Sequence, residues 1–498
     1  MEKIINLTIQ QQKAVEEQEI ALLTLRDLYH TGERELVLAG VGGTGKTQLA
    51  MRLVEMLRND YYNMHIPFKG GEVLKYKKLA IQGAAISHGA KNVLADRFEE
   101  GEVFDVHFYT IAALLRLRRR VTNAGKIVFE PEHKEIRAGT VKIYPPIKDG
   151  DLIFIDECSQ ISDETKAMID KEKGPNTVII YLGDWHQTPP VSKTREPDSD
   201  SSTFNLPGVQ LVTPFRYEGD IEELASAIAG EIDKLGEKSL KFLNKFATVT
   251  GKDYEFTRNG EEFFEAFLED NASSDDLKHC VLINYRKKVT KALAKELRDK
   301  VVTNSKDKFV AGEKIVCKRG TKGTTDALSL TNHKVFRINK VKEAEAMMKF
   351  KFGNYVKIQI ADSITEAAES KEKGVVFKRI PIYLLDLVDS NGAVFNNIAV
   401  LKDELNMNYI MQRNWMKGRA ERELQSRYWS EYFTFLEFFN EFDYGYAVNT
   451  YVVQGDTYNN VYINLRDIMS VGPITTREKL QSLYTAVTRA RKKVKILV

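Results

Sequence analysis

Glu35-Leu36-Val37-Leu38-Ala39-Gly40-Val41-Gly42-Gly43-Thr44-Gly45-Lys46-Thr47 decides the fold. A short, uniformly apolar run enters a glycine cluster, and Lys46 to Leu57 continues with helical spacing. A strand that is apolar at every position is covered on both faces, which is the habit of a parallel sheet. The turn matches G-x-x-x-x-G-K-[ST] from Gly40 to Thr47. In such a loop, glycines let backbone N–H groups turn inward around phosphate oxygens. Lys46 reaches the β- and γ-phosphates, and the Thr47 hydroxyl binds magnesium. The helix N-terminus behind the loop adds partial positive charge.

Working outward, Leu152-Ile153-Phe154-Ile155 is a second apolar run, and it ends in Asp156-Glu157. Carboxylates at the C-terminal end of a parallel strand face the ligand crevice. Asp156 suits a magnesium ion, and Glu157 suits orienting and deprotonating a water. Val178 to Leu182 is a third buried-strand run, and Thr8 to Leu28 reads as a helix. Alternating strands and helices predict an α/β fold with a parallel sheet covered on both faces.

The 498 residues suggest about three domains. Lysine and arginine number 73 against 70 acidic residues, a net charge of +3. Bulk-charge binding of nucleic acid is excluded, and a local basic track is not. The three cysteines, at 158, 280 and 317, form no CxxC pair, so neither a disulfide framework nor a zinc site is predicted. The N-terminal segment has no apolar signal core, and no apolar run reaches the ~20 residues of a membrane helix. A reducing cytoplasm is the expected compartment, with no membrane contact.

The pattern changes between Arg116 and Gly150, where Lys126–Glu130 and Thr140–Tyr144 read as two strands of an insertion. The basic run Arg116, Arg118, Arg119, Arg120 reads either as a track along phosphates or as a solvated helix end. From about Val310 to Leu401, several β-type runs predict a small antiparallel domain. A charged helical stretch, Asp403 to Phe442, follows. Within it Tyr428, Tyr432, Phe435, Phe439 and Phe442 form one stripe at helical spacing, read as a packed face.

Further fragments stand in order along the chain. They are Gly183-Asp184-Trp185-His186-Gln187-Thr188-Pro189-Pro190-Val191, then Gln454-Gly455, then Tyr484-Thr485-Ala486-Val487-Thr488-Arg489-Ala490. With the phosphate loop and the acidic pair, this set resembles the motifs of superfamily 1 helicases. It is most similar to the small Dda-type phage helicases of superfamily 1B, relatives of RecD. The resemblance spans Leu7 to Val498.

The resemblance implies two RecA-like P-loop NTPase lobes, parallel sheets with helices on both faces. Residues 1–115 and 150–211 form the first lobe, and 212–310 with 443–498 the second. A β-hairpin pin occupies 116–149, and an SH3-like module with a helical tower occupies 311–442. ATP and Mg2+ are the implied cofactors. Gln11 corresponds to the adenine reader, Gln187 to the γ-phosphate sensor, and Arg216 and Arg489 to arginines that contact the γ-phosphate. Gly455 joins the nucleotide-binding set with Gly40, Gly42, Gly43, Thr44, Gly45, Lys46 and Thr47. His88, Lys91 and Thr110 correspond to single-stranded-DNA contacts, and Phe129 to the aromatic that stacks on the fork base pair.

The implied activity is ATP-driven 5′-to-3′ movement on single-stranded DNA with separation of forked duplex, in phage replication or recombination. A single-stranded-DNA-binding protein and replication proteins are the expected partners. Two other readings stay open: a translocase that displaces proteins without unwinding, and a nucleotide-switched DNA clamp. The chain departs from the family at Tyr451 and Val452, where a histidine and a lysine are usual.

Overall fold

The computed structural model describes residues 9–498 apart from 66–67, 70–71, 74–77, 133, 137–140, 191–198, 214–218, 236, 250, 303–306, 320–329, 331–333, 352–353, 361–374, 424 and 473. These residues form two compact units. One comprises residues 1–118, 130–260 and 453–498, and the other 119–129 and 261–452.

The first unit is built on a six-stranded sheet. Its order across is Gly208–Leu211, Glu35–Gly40, Val178–Gly183, Leu152–Ile155, Ile81–Ala85, Val106–Thr110. Every neighbouring pair is parallel. Alternate residues serve two separate cores. Leu36, Leu38, Phe154, Ile180 and Leu182 pack against Leu22, Leu53, Leu94 and Phe98 on one face. Val37, Ile153, Ile155, Ile179 and Tyr181 pack against Ile111, Leu114, Ile161 and Ile169 on the other. That double burial is why these strands read as unbroken apolar runs. The same unit holds a second parallel set, Tyr254–Thr257 beside Ala490–Leu497 beside Tyr458–Asn464. The Asp220–Ile232 and Thr476–Val487 helices belong to this unit and pack on each other.

The second unit contains an antiparallel sheet with the order Val394–Leu401, Val375–Val388, Val335–Lys351, Lys314–Arg319, Glu441–Tyr444. From Ile380 to Leu387 the long Val375–Val388 strand is again buried on both sides. Ile380, Ile382 and Leu384 meet the helices Met407–Glu423 and Ser426–Glu437 through Tyr409, Met416, Phe435 and Phe439. Tyr383, Leu385 and Leu387 fill the core on the other face with Ile315, Phe336 and Ile398.

Three local expectations change. The basic run is not a helix end, because Leu117–Val121 is a strand that forms a hairpin with Ile127–Pro131. The turn between them closes locally, with Thr122 N–H donating to Lys126 O at 2.9 Å and Gly125 N–H to Thr122 O at 2.9 Å. Among the described residues the insertion therefore has four short strands rather than two, the other pair being Lys134–Ile136 and Val141–Ile143. The aromatic stripe also breaks. Tyr428, Phe435 and Phe439 are buried, but Phe442 lies on a strand, opposite Cys317. Long-range pairing there overrides the helical spacing. Among the described residues, no helix is long and apolar enough to cross a membrane.

Phe435 stacks on Tyr409 with ring centroids 5.6 Å apart and lies edge-on to Phe439. Phe435→Ala should cost about 3–5 kcal/mol, read as a lower midpoint for urea unfolding of the full chain.

Candidate active site

Strand Glu35–Gly40 delivers its chain directly into the phosphate loop. Gly43 and Gly45 take φ of +82° and +81°, a region that side-chain-bearing residues avoid. The loop is pinned from within and from outside. Thr44 Oγ1–H donates to Val41 O at 2.9 Å, and Gln18 Nε2–H donates to Thr44 O at 2.9 Å. Lys46 opens the helix Lys46–His65, and its ammonium donates to Gly40 O at 2.6 Å and Val41 O at 3.1 Å. The cation is thus held at the mouth of the loop by neutral carbonyls rather than by a carboxylate.

Two strands supply the rest of this wall. Ile155 is in register with Tyr181, and Ala39 with Gly183, so the three strand ends lie side by side. Asp156 follows Ile155, and its Oδ1 accepts the Glu157 N–H at 2.9 Å. Glu157 stands at φ +56°, a left-handed conformation that costs a non-glycine residue roughly 1–2 kcal/mol. Burial and the neighbouring Asp156 charge push the Glu157 carboxyl above its ordinary range, against the pull of Arg489 and Lys46. That is the direction a proton acceptor for water needs. Burial also pushes the thiols of Cys158, Cys280 and Cys317 up to about 12, so none is a ready nucleophile.

Segments distant in sequence close the cleft. Thr188 N–H donates to Thr485 Oγ1 at 3.1 Å, and Gln454 Nε2–H donates to Thr188 Oγ1. Gly455 lies against Ala90 of the His88–Glu100 helix. Gln187 is 6% exposed, and its Oε1 is buried with no hydrogen-bond partner among the described residues. Arg489 is buried, and its guanidinium donates to Thr485 O at 3.0 Å, Thr488 Oγ1 at 3.2 Å and Asp456 O at 3.5 Å. Among the described residues it is held by neutral oxygens and makes no direct ion pair.

The resulting cleft of about 500 Å³ is lined by Gly42, Gly43, Gly45, Lys46, Thr47, Asp156, Glu157, Gln187, Gly455 and Arg489 together. Gly40 and Thr44 do not line it: Gly40 ends the strand, and Thr44 is buried within the loop. Arg216 lies outside the described residues, as do the side chains of Gln11 and His88. Lys91 is half-buried on the His88–Glu100 helix. Thr110 is buried, and its hydroxyl caps the next helix by accepting the Ala113 N–H at 3.2 Å. Phe129 is 58% exposed, so it does not fill a hairpin core.

Some contacts at the cleft carried no signal in the sequence. Arg97 donates to Thr47 Oγ1 at 3.2 Å from the facing helix. Tyr484 Oη accepts the Gly42 N–H at 3.3 Å and donates to Asp184 Oδ2 at 2.9 Å. Tyr484 and Asp184 both sit inside quoted motifs, but only the fold reveals that they meet.

A phosphate loop on an apolar parallel strand, with strand-end carboxylates in the same cleft, defines the class as a P-loop α/β protein. A family model described as "AAA domain" matches residues 15–249. The uncharacterized protein R530 of Acanthamoeba polyphaga mimivirus is 24% identical over 440 residues, covering 79% of this chain and 82% of that protein. Among solved structures, a Pif1 helicase from Bacteroides in complex with ADP-AlF3 and single-stranded DNA is 13% identical. Its TM-score is 0.43, with coverage of 95% of this chain and 91% of that one. A Pif1 helicase from Candida albicans is 12% identical, with a TM-score of 0.37 and coverage of 99% and 95%.

Glu157→Gln keeps the shape of the cleft but replaces the carboxylate with a neutral amide. It should lower kcat for nucleotide hydrolysis by about 10²–10⁴-fold with little change in nucleotide affinity, measured by steady-state hydrolysis beside equilibrium binding.

Proposed function

We propose that this protein is an ATP-dependent DNA helicase that moves 5′ to 3′ on single-stranded DNA and separates duplex at a fork. The observation that carries the reading is the convergence, in one cleft, of Gln187, Gly455 and Arg489 with the phosphate loop and the acidic pair. A plain nucleotide switch needs the loop and a carboxylate. The additional glutamine and buried arginine are what a motor needs to sense and discharge a γ-phosphate.

In this reading Lys46 leaves its loop carbonyls for the β- and γ-phosphates. The donor set fits Mg2+ as well: the Thr47 hydroxyl and the Asp156 carboxylate stand at the loop and at a strand end in the same cleft. A magnesium ion held there supplies positive charge against the phosphate oxygens. Glu157 accepts the proton of the attacking water, and the partnerless Oε1 of Gln187 accepts a hydrogen bond from that water. Arg489, buried among neutral acceptors, stabilises charge in the transition state. Gln11 on the base and Arg216 on the γ-phosphate complete the proposed set. The Gln454–Thr188 contact joins the phosphate-sensing segment to the next motif, a route by which hydrolysis alters the DNA grip proposed for His88 and Lys91; the buried Thr110 serves instead as the cap of the next helix.

Strand separation is assigned to the hairpin. Its turn is braced: Trp429 Nε1–H donates to Asn123 O at 3.3 Å, and Val121 packs on Tyr428 and Trp429. Gly125, at φ +76°, has no room for a side chain, since an added Cβ would lie 2.5 Å from the Trp429 ring. Phe129 is left exposed on the second strand. Base–aromatic stacking is worth about 1–3 kcal/mol, enough to hold open one base-pair step of ~1.4 kcal/mol.

We assign residues 1–115 with 150–211 and 212–310 with 443–498 to the two motor lobes, 116–149 to the pin, and 311–442 to the SH3-like module and tower. The partners are single-stranded DNA and forks, together with a single-stranded-DNA-binding protein or replication proteins. The setting is phage replication or recombination in a host cytoplasm; the mimivirus relative supports a viral setting.

The test is ATP hydrolysis with and without single-stranded DNA, beside unwinding of forks with a 5′ or a 3′ tail. Lys46→Ala should abolish both activities, and Arg489→Ala should slow hydrolysis by about 10³–10⁵-fold. Phe129→Ala should keep DNA-stimulated hydrolysis and lose about tenfold in unwinding rate. Stimulated hydrolysis without unwinding of either fork would favour a translocase. Hydrolysis indifferent to DNA would leave only a nucleotide switch.

A further inference from the structure

His186 has no part in the chemistry above, yet it is among the most enclosed titratable groups near the cleft. Its side chain is 2% exposed, between Asp184 at 1% and Asp233 at 51%. Nδ1 lies 3.0 Å from Asp184 Oδ1, and Nε2 lies 2.9 Å from Asp233 Oδ2. A neutral imidazole has one N–H, so it could serve only one of these carboxylates. With a carboxylate on each nitrogen, both nitrogens donate, and the ring is a cation.

The carboxylate it holds is itself a structural hub. Asp184 Oδ1 also accepts the His186 backbone N–H at 3.0 Å, while Oδ2 accepts the Tyr484 hydroxyl at 2.9 Å. Tyr484 in turn accepts the Gly42 N–H of the phosphate loop at 3.3 Å. On the outer side, Asp233 caps the Asp220–Ile232 helix and also accepts from Trp185 Nε1 at 3.1 Å. A continuous chain of hydrogen bonds therefore runs from that helix end, through His186, to the phosphate loop, one residue away from Gln187.

We propose that His186 is a positioning residue for nucleotide hydrolysis: as a cation clamped by Asp184 and Asp233, it fixes Asp184 beneath Tyr484 and so fixes the phosphate loop at Gly42 and the adjoining Gln187. The inference rests on the nucleotide-hydrolysis reading of the cleft and is independent of DNA. Without the cation, Asp184 is a buried carboxylate short of a charged partner. It must take a proton or shift, and either response weakens its hold on Tyr484.

The groups facing His186 come from several elements. They are Asp184 and the Trp185 ring from its own segment, Asp233 from the helix end, and Tyr484 with its ring centroid 5.4 Å away. Glu222 lines a cavity of about 230 Å³ with His186, Asp233 and Tyr484. Lys46 acts on Asp184, and Arg477 on Asp233. Burial opposes the imidazolium, but the two carboxylates outweigh it and raise His186 to about 9. Because this lies above the ordinary 6.5, the clamp is fully present below that ordinary value. It is lost as pH rises through about 9.

The experiment is ATP hydrolysis and thermal unfolding of the full chain, with wild type, His186→Gln and Asp233→Asn, between about pH 7 and pH 10. Wild type should exceed His186→Gln in kcat/KM by about tenfold at pH 7, and the ratio should close towards one by pH 10. Asp233→Asn, which removes one carboxylate from the ring, should bring the alkaline fall to lower pH. It also serves as the test if His186→Gln does not fold. A wild-type-to-variant ratio that stays constant with pH, or an Asp233→Asn profile unmoved from wild type, would overturn the proposal and leave His186 a packing residue. If wild type hydrolyses ATP no faster than Lys46→Ala, the parent reading fails. The clamp is then read from unfolding alone, as stability that wild type loses relative to His186→Gln through about pH 9.

Discussion

The working groups of the cleft hang from the carboxyl ends of three neighbouring parallel strands, 35–40, 152–155 and 178–183. The hydrogen-bond ladder between them holds those ends level, with Ala39 opposite Gly183 and Ile155 opposite Tyr181. The phosphate loop, the acidic pair and the Asp184–Gln187 segment leave the sheet at that edge and therefore converge. The ladder holds only because both sheet faces are buried, one under Leu22, Leu53 and Phe98, the other under Ile111, Leu114 and Ile169. Loss of packing on either face would release the strand ends and the cleft with them.

Placing three carboxylates at one sheet edge is electrostatically costly, and the protein manages each differently. Asp156 ties down the next backbone N–H. Glu157 is left with its affinity for protons raised, between burial and Asp156 on one side and Arg489 and Lys46 on the other. Burial would raise Asp184 as well, but the hydrogen bond from His186 and the charge of Lys46 hold it below its usual range. Asp184 and Glu157 thus share an enclosed region with opposite proton affinities, the condition under which one carboxylate remains an anchor and the other accepts a proton. A contrasting solution appears in the second unit. Arg298 and Glu313 form a bidentate buried pair, with Nε–Oε1 at 2.6 Å and Nη2–Oε2 at 3.2 Å. Glu313 also accepts the Val310 N–H, and Arg298 donates to Asp307 O. That pair is tied into the fold by these further hydrogen bonds, whereas in the cleft Gln187 Oε1 has no partner among the described residues.

The hairpin and helices of the second unit show the same division between what holds and what works. Trp429 and Tyr428 are buried in the brace, and Phe435 and Phe439 in the core beneath it. Phe129 alone of these aromatics faces outward, on a strand whose turn is immobilised by Trp429. In the pin role proposed for Phe129, a braced turn limits the conformational freedom the ring must give up on stacking.

The sequence by itself determined the parallel sheet, the phosphate loop and the acidic pair, because each is a local pattern. A strand buried on both faces must be apolar throughout, and a loop around phosphate needs its glycines, lysine and threonine at set offsets. Local patterns misled where long-range pairing decided the outcome. Arg118 and Arg120 lie on a strand because the Thr122–Lys126 turn brings Ile127–Pro131 alongside, and Phe442 left its helical stripe because Cys317 pairs with it. Only the tertiary structure brought Tyr484 to Gly42, Arg97 to Thr47 and Asp233 to His186. Those contacts join residues far apart along the chain. No spacing rule records them, since their separation is set by how whole helices pack on the sheet rather than by the period of any one element.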